Sequence, residues 1–272
     1  MTALIRLRVE LCHTQTVAVE LFSKPTVASP IHRASLFLRT VLFAAWQALF
    51  AVGFVCLGVD DPWARSVAWW PMTASLANLC NFGLLHWAAR KEGSSFVRLF
   101  GGRRETWKRD VRWSLLALLV IAPLAVVPNV ALGELLFGDA SVPASMMFRP
   151  LPLWAVAVVI PLFPLSIALT ELPTYYAYGV PGLQAATGRR WSPMVAAACC
   201  HAFQHVALPL ILDWRFVIWR LLMFLPFALF IAWVIDRRRT VLPYMMGAHG
   251  LLDAQLPVFI LLASLGTPVF GD

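Results

Sequence analysis

The chain has 272 residues, of which 60% are hydrophobic and 13% charged, and its mean hydropathy is +0.74. Soluble globular proteins carry about 25% charged residues, so this composition excludes a water-soluble globule and predicts a polytopic membrane protein. The net charge of +8 does not indicate a nucleic-acid partner, because the basic residues form short clusters between apolar segments and no continuous face.

We expect residues 1–35 to form a cytoplasmic N-terminal extension, because charged side chains interrupt every apolar stretch there. Residues 36–272 are expected to form an integral membrane domain. Apolar segments of membrane-spanning length, roughly 20 residues, lie at 36–59, 66–88, 113–133, 151–178, 193–212, 215–235 and 241–256, and a shorter one lies at 257–270. The pattern predicts an all-α polytopic membrane helix bundle of about 7–8 transmembrane helices, kinked or broken at prolines.

The basic residues predict the orientation of this bundle, because cytoplasmic loops carry the excess of Lys and Arg. With the N-terminus inside, most of the 22 basic residues face the cytoplasm, including Arg39 and the cluster from Arg90 to Arg112. The outer side keeps Arg65, Arg149, Arg215 and Arg220. We therefore expect a cytoplasmic N-terminus.

Five acidic or histidine residues lie inside the later apolar segments, namely Glu171, His201, His205, His249 and Asp253. Such groups are costly within a bilayer and usually have a function. At 1.5 Å per residue, and in the expected orientation, all five lie about 10–20 Å from the cytoplasmic face. His201 and His205 share one helix face at i and i+4, as do His249 and Asp253. The sequence thus predicts one polar site built from three segments.

Two chemistries suit these five residues. In the first, Glu171 is a general base that takes a proton from water, while the histidines and Asp253 orient that water and stabilise the oxyanion. In the second, the histidines and a carboxylate bind a divalent metal such as zinc, which activates the water. Singly, each residue also fits a structural role as a hydrogen-bonded core group. The common depth of all five favours a functional site.

Three short motifs carry a resemblance to a known family. In chain order they are Thr170-Glu171-Leu172-Pro173-Thr174-Tyr175-Tyr176, His201-Ala202-Phe203-Gln204-His205 and His249-Gly250-Leu251-Leu252-Asp253. They resemble the motifs EExxxR, FxxxH and HxxxN or HxxxD of the CPBP family of intramembrane proteases, which is related to the type II CAAX prenyl endopeptidase and to bacteriocin-immunity proteins. The resemblance covers a core at residues 150–256.

The resemblance implies a role for each matching position. Glu171 would activate water, and His205 would be the histidine that closes the second motif. His249 would act on the oxyanion side, and Asp253 would orient or polarise its neighbours. His201 stands where the family has phenylalanine and is an additional candidate. The first motif departs from the family, because it has a single glutamate and a tyrosine in place of the arginine.

The family fold is a bundle of membrane helices around a cavity open toward the cytoplasm, and the resemblance implies the same here. It also implies a lipid environment, a peptide or membrane-associated protein substrate, and a bacterial inner membrane. The glutamate mechanism requires no cofactor, whereas the metal mechanism requires a divalent ion such as zinc.

Two other functions stay open. The departures in the first motif favour a noncatalytic pseudoprotease that binds a peptide or a partner helix in the same cavity. Buried Glu, His and Asp side chains also serve as proton relays, so a proton-coupled transporter is a further alternative. Against the transporter, no internal repeat relates two halves of the chain.

Overall fold

The computed structural model describes residues 30–267, and in this range the chain is helical and forms no strand. The all-α prediction is therefore confirmed for this part of the chain. The α-helices are α1 (Pro30–Cys56), α2 (Pro62–Ala68), α3 (Trp70–Lys91), α4 (Trp107–Phe137), α5 (Val142–Met147), α6 (Leu153–Leu172), α7 (Val180–Thr187), α8 (Trp191–Gln204), α9 (Trp214–Arg237), α10 (Leu242–Asp253) and α11 (Gln255–Ser264). Short 3-10 turns at Phe96–Phe100, Arg104–Thr106 and Arg239–Val241, and a π-helix at Pro173–Gly179, complete the helical segments.

Five helical stretches within residues 30–267 are long and apolar enough to cross a membrane. They are Pro30–Cys56, Phe96–Phe137, Leu153–Thr187, Trp214–Arg237 and Arg239–Ser264. A membrane protein is thus supported by length and composition, but the count of 7–8 spans is not reached. The shortfall has two causes, because α3 carries Asn78, Asn81 and His86 among its apolar residues and α8 has only 14 residues.

The segment boundaries differ from the sequence prediction at three places. The first helix begins at Pro30, inside the expected extension 1–35. Residues 1–29 of that extension lie outside the described range. The span expected at 151–178 continues through the π-helix into α7. The segments expected at 241–256 and 257–270 form one apolar stretch, in which α10 and α11 join at Ala254, and residues 268–270 lie outside the described range.

Contacts between helix ends define one end of the bundle, which we call the basic end. Tyr178 donates a hydrogen bond to Glu92 at the close of α3, and Arg190, before α8, forms an ion pair with Asp236 of α9. Arg238, after α9, forms an ion pair with Asp110 in the first turn of α4. At the opposite end, Leu151 N–H donates to the Ser264 hydroxyl, which brings the start of α6 to the end of α11.

Two arginines counted as loop charges lie inside the bundle. Arg39 of α1 and Arg220 of α9 are 1% and 7% exposed, so neither belongs to a solvent-facing loop. Their assignment to the inner and outer loops was wrong. A guanidinium buried at this depth needs partners from other helices. When Arg39 and Arg220 are left out of the count, most of the other Lys and Arg residues still lie on the side that the sequence analysis expects to be cytoplasmic.

The packing of α6 positions the candidate site. This helix packs against α3 on one side and α10 on another, while α8 packs against α9 and α1. The last turn of α6 therefore lies where α1, α8 and α10 meet.

Candidate functional site

Glu171 lies in the last turn of α6 and is fully buried. Its Oε1 is 2.8 Å from His201 Nε2 and 2.9 Å from His249 Nε2. Its Oε2 accepts a hydrogen bond from Arg39 Nη2 at 3.1 Å. Because a carboxylate only accepts, each of these nitrogens is the donor. One carboxylate therefore joins α1, α8 and α10.

His205, the cap residue of α8, presents a nitrogen lone pair to this carboxylate. Its Nδ1 lies 3.0 Å from the carbonyl oxygen of His201, so Nδ1 carries the proton and Nε2 of the neutral ring is an acceptor. Nε2 is 3.9 Å from Glu171 Oε1, too far for a direct hydrogen bond. His205 Nε2 can therefore accept a hydrogen bond from a water beside the carboxylate. We call Glu171, His201, His205 and His249 the Glu–His cluster.

Aromatic side chains fix the orientation of the histidine rings. His201 stacks on Tyr175, with ring centroids 5.1 Å apart, and its Nδ1 lies 2.8 Å from the Tyr176 hydroxyl. His205 stacks on Phe224 of α9 at 3.6 Å. Tyr175 and Tyr176 thus hold the His201 ring. The sequence does not show that Tyr175 and Tyr176 orient the His201 ring, because both tyrosines lie more than 20 residues before His201.

His249 and Asp253 lie on one face of α10, as their i, i+4 spacing predicts. His249 Nε2 is 3.4 Å from Asp253 Oδ2, while its hydrogen bond goes to Glu171. Their side chains are 12% and 17% exposed, whereas Glu171 and His201 are closed off. The α10 side is therefore the more accessible side of the cluster.

Gly250 allows α10 to approach α6 closely. A Cβ at this position would lie 2.8 Å from Ala168 Cβ and 3.0 Å from the Pro164 carbonyl oxygen, both on α6. Only a residue without a side chain fits this contact. The close approach brings the neighbouring His249 within hydrogen-bond distance of Glu171.

Arg39 is the site residue that the sequence analysis missed. Its Nε donates to Gln204 Oε1 at 2.6 Å and its Nη1 to Thr170 Oγ1 at 2.8 Å, in addition to its bond with Glu171. The sequence contained a signal, because Arg39 falls within the expected apolar segment 36–59. The positive-inside count assigned it to a loop instead.

The π-helix begins at Pro173, two residues after Glu171. Pro173 has no backbone N–H, so regular α-helical hydrogen bonding is interrupted at this point. A π-turn often marks a functional site, because it changes the direction of the side chains that follow. Here Tyr175 and Tyr176 lie in the π-turn and both contact His201.

The donor set also fits a divalent metal. Glu171, His201 and His205 each offer one ligand atom, and these atoms lie within 4.8 Å of one another. Two histidines and one glutamate are a ligand set of catalytic zinc sites. In such sites the histidine nitrogen that does not bind the metal forms a hydrogen bond of its own. Here His205 Nδ1 lies against the His201 carbonyl oxygen and His201 Nδ1 against the Tyr176 hydroxyl.

All five predicted site residues therefore lie together. A small cavity lined by Tyr176, Asp236 and Arg239 lies between the cluster and the basic end. The wider cavity open toward the cytoplasm stays a prediction, because Glu171 itself is enclosed.

No family model, curated protein or solved structure matches this chain. The resemblance described above thus depends on three short motifs alone.

Proposed function

We propose that this chain is an intramembrane endopeptidase, similar to the CPBP proteases, that hydrolyses a peptide bond with a water activated by Glu171. The observation that carries this proposal is the meeting of one buried carboxylate oxygen with the Nε2 atoms of three histidines. Buried ionisable groups are expensive in a membrane, and four of them converging on one point favour a catalytic role over four independent structural roles.

Glu171 acts as the general base. A carboxylate offers about four acceptor positions, and hydrogen bonds from Arg39, His201 and His249 occupy three of them. The remaining position is on Oε2, which has Arg39 as its only donor, and it accepts the water. Glu171 takes one proton as the water oxygen bonds to the peptide carbonyl carbon, and returns that proton to the amine when the C–N bond breaks.

The histidines divide into donors and an acceptor. His201 and His249 each donate their one Nε2 hydrogen to Glu171. Once Glu171 has taken the proton of the water and lost its charge, these N–H groups are suited to the negative charge that develops on the carbonyl oxygen. His205 accepts at Nε2 and orients the second hydrogen of the water. Asp253 lies against His249 and orients its ring.

A zinc-dependent variant of the same reaction uses the same residues. Glu171, His201 and His205 would hold the ion, which would supply an activated hydroxide. Metal analysis and chelation separate the two variants. The glutamate mechanism predicts full activity after chelation and dialysis, whereas the zinc variant predicts near-stoichiometric metal and loss of activity on its removal. We favour the glutamate mechanism, because Arg39 and two N–H donors already compensate the Glu171 charge.

The substrate of this proposal is a peptide or membrane-associated protein. The setting is the lipid of a bacterial inner membrane, with the N-terminus of the chain in the cytoplasm. The distribution of basic residues supports this orientation.

Substitution of Glu171 tests the proposal. Glu171→Gln keeps the size of the side chain but removes the base, so we expect cleavage of apolar test peptides in proteoliposomes to fall by at least about 100-fold. The purified variant should elute and melt as a folded protein. Glu105→Gln is a matched control, because Glu105 is exposed near the start of α4, and it should keep full activity. An active Glu171→Gln protein would contradict the mechanism.

A noncatalytic pseudoprotease is the second candidate. The enclosure of Glu171 by three donors and its ion pair with Arg39 favour it, because such a group also serves as a structural anchor. A Glu171→Gln protein that is inactive on peptides yet fully replaces the wild-type gene in cells would support this alternative.

A further inference from the structure

Arg220 is a buried cation with few partners. It lies in the apolar helix α9 and is 7% exposed, yet its one hydrogen-bond acceptor among the described residues is the Leu208 carbonyl oxygen, at 2.7 Å from Nη2. Its Nε is buried without a partner. Arg39, equally buried, uses three nitrogens on three side chains. A guanidinium has five N–H donors, so Arg220 has unused capacity.

Arg220 shares a face of α9 with two rings that contact the Glu–His cluster. Arg220, Phe224 and Phe227 follow the i, i+4, i+7 spacing of one helix face. Phe224 stacks on His205, and the Phe227 ring lies 6.3 Å from that of His249. The Arg220 guanidinium lies 5.0 Å from the Phe224 ring centre. Arg220 is thus adjacent to the cluster, on the side away from the basic end.

Asp253 lies on that same side. Helix α9 ends at the basic end and α10 begins there, so the two run in opposite directions. Arg220 comes before Phe227 on α9, and Asp253 comes after His249 on α10. Arg220 and Asp253 therefore both lie farther from the basic end than the Phe227 and His249 rings do. Asp253 Oδ2 lies 3.4 Å from His249 Nε2 but has no hydrogen-bond partner among the described residues.

We propose that Arg220 and Asp253 form a peptide-binding subsite, in which Arg220 donates to a substrate carbonyl oxygen and Asp253 accepts from a substrate amide N–H. A backbone amide offers one acceptor and one donor, which matches this pair. It is neutral, whereas a carboxylate ligand would be repelled by Asp253 and Glu171. An extended peptide within a membrane also needs partners for its own backbone groups. The inference depends on the proposed protease function for its ligand class.

Binding of labelled peptide probes tests this subsite. The probes are capped apolar hexapeptides with a fluorophore, and binding is followed by anisotropy in nanodiscs. Arg220→Gln should weaken binding about tenfold or more, as expected for the loss of a hydrogen bond from a charged group. Arg215→Gln is the matched control, because Arg215 lies exposed on the same helix, and it should bind as the wild type does. Wild-type affinity in a folded Arg220→Gln protein would overturn the subsite.

A second measurement does not depend on the folding of that variant. Each backbone amide of the probe is replaced in turn by an ester, which removes the N–H donor and weakens the carbonyl acceptor. With wild-type protein, one position should show a loss of about tenfold, and uniform tolerance of the ester would overturn the subsite. Failure of the wild type to bind any probe would overturn both this inference and the protease proposal. Arg220-dependent binding without cleavage would overturn only the protease proposal.

Discussion

Arg39 gives Glu171 a charge partner that the sequence motifs lack. The guanidinium comes from α1, 132 residues away in the chain. The five predicted site residues could be found from the sequence, because each carries its own signal, a charge or an imidazole in an apolar segment. Arg39 could be placed beside them only by tertiary contacts, because residue spacing does not report such distances.

A double-mutant cycle tests the Arg39–Glu171 pair. Arg39→Met leaves a buried carboxylate without its cation and should lower the free energy of unfolding by about 3–5 kcal/mol. Combining it with Glu171→Gln should recover part of this loss, because no charge then remains unpaired. The measurement is denaturant titration in detergent micelles, with exposed Arg65→Met as control. Strictly additive effects of the two substitutions would show that the pair does not interact.

At the scale of the helix, the sequence predicted where the segments are apolar but not how they join. Pro173 indicated a broken span, yet the π-turn itself depends on packing of the tyrosines against α8. The join of α10 to α11 was also missed, because the sequence analysis divided this stretch between residues 256 and 257. In the fold, Ala254 connects the two helices with little interruption.

Gly250 provides a test of how α10 is positioned. Gly250→Ala should push α10 away from Ala168 and Pro164, because the added Cβ would lie closer to both than packed atoms allow. We expect a loss of stability of about 1–3 kcal/mol together with a large loss of peptide cleavage. Gly247→Ala, on the same helix with nothing within 4 Å of the added Cβ, is the matched control. Equal behaviour of the two variants in thermal melts and cleavage assays would contradict the packing described here.

At the scale of the whole molecule, tryptophan and basic side chains form pairs at one end of the bundle. Four pairs lie at the basic end, with the cation 4.1–5.8 Å from the ring centre, namely Trp87 with Lys91, Trp107 with Lys108, Trp191 with Arg190 and Trp233 with Arg237. Such amphipathic rings favour the interface between lipid and water, and the basic residues favour the cytoplasmic side.

Cysteine labelling tests this orientation. Cys56 is exposed at the far end of α1 from the basic end. A variant in which Cys56 is the only cysteine should therefore react with a membrane-impermeant maleimide added to the outside of spheroplasts. A variant that keeps only Cys12, in the expected cytoplasmic extension, should react only in inverted vesicles. The opposite pattern would reverse the topology.

The hydrolysis itself can be measured most directly with purified protein in proteoliposomes and water enriched in oxygen-18. Mass spectrometry of an apolar peptide library should detect new pairs of termini, with one heavy oxygen atom in each new carboxylate. The same products should be absent with Glu171→Gln. Intact peptides with the wild-type protein, or equal products with both proteins, would contradict the proposal that Glu171 activates water for peptide cleavage within the membrane.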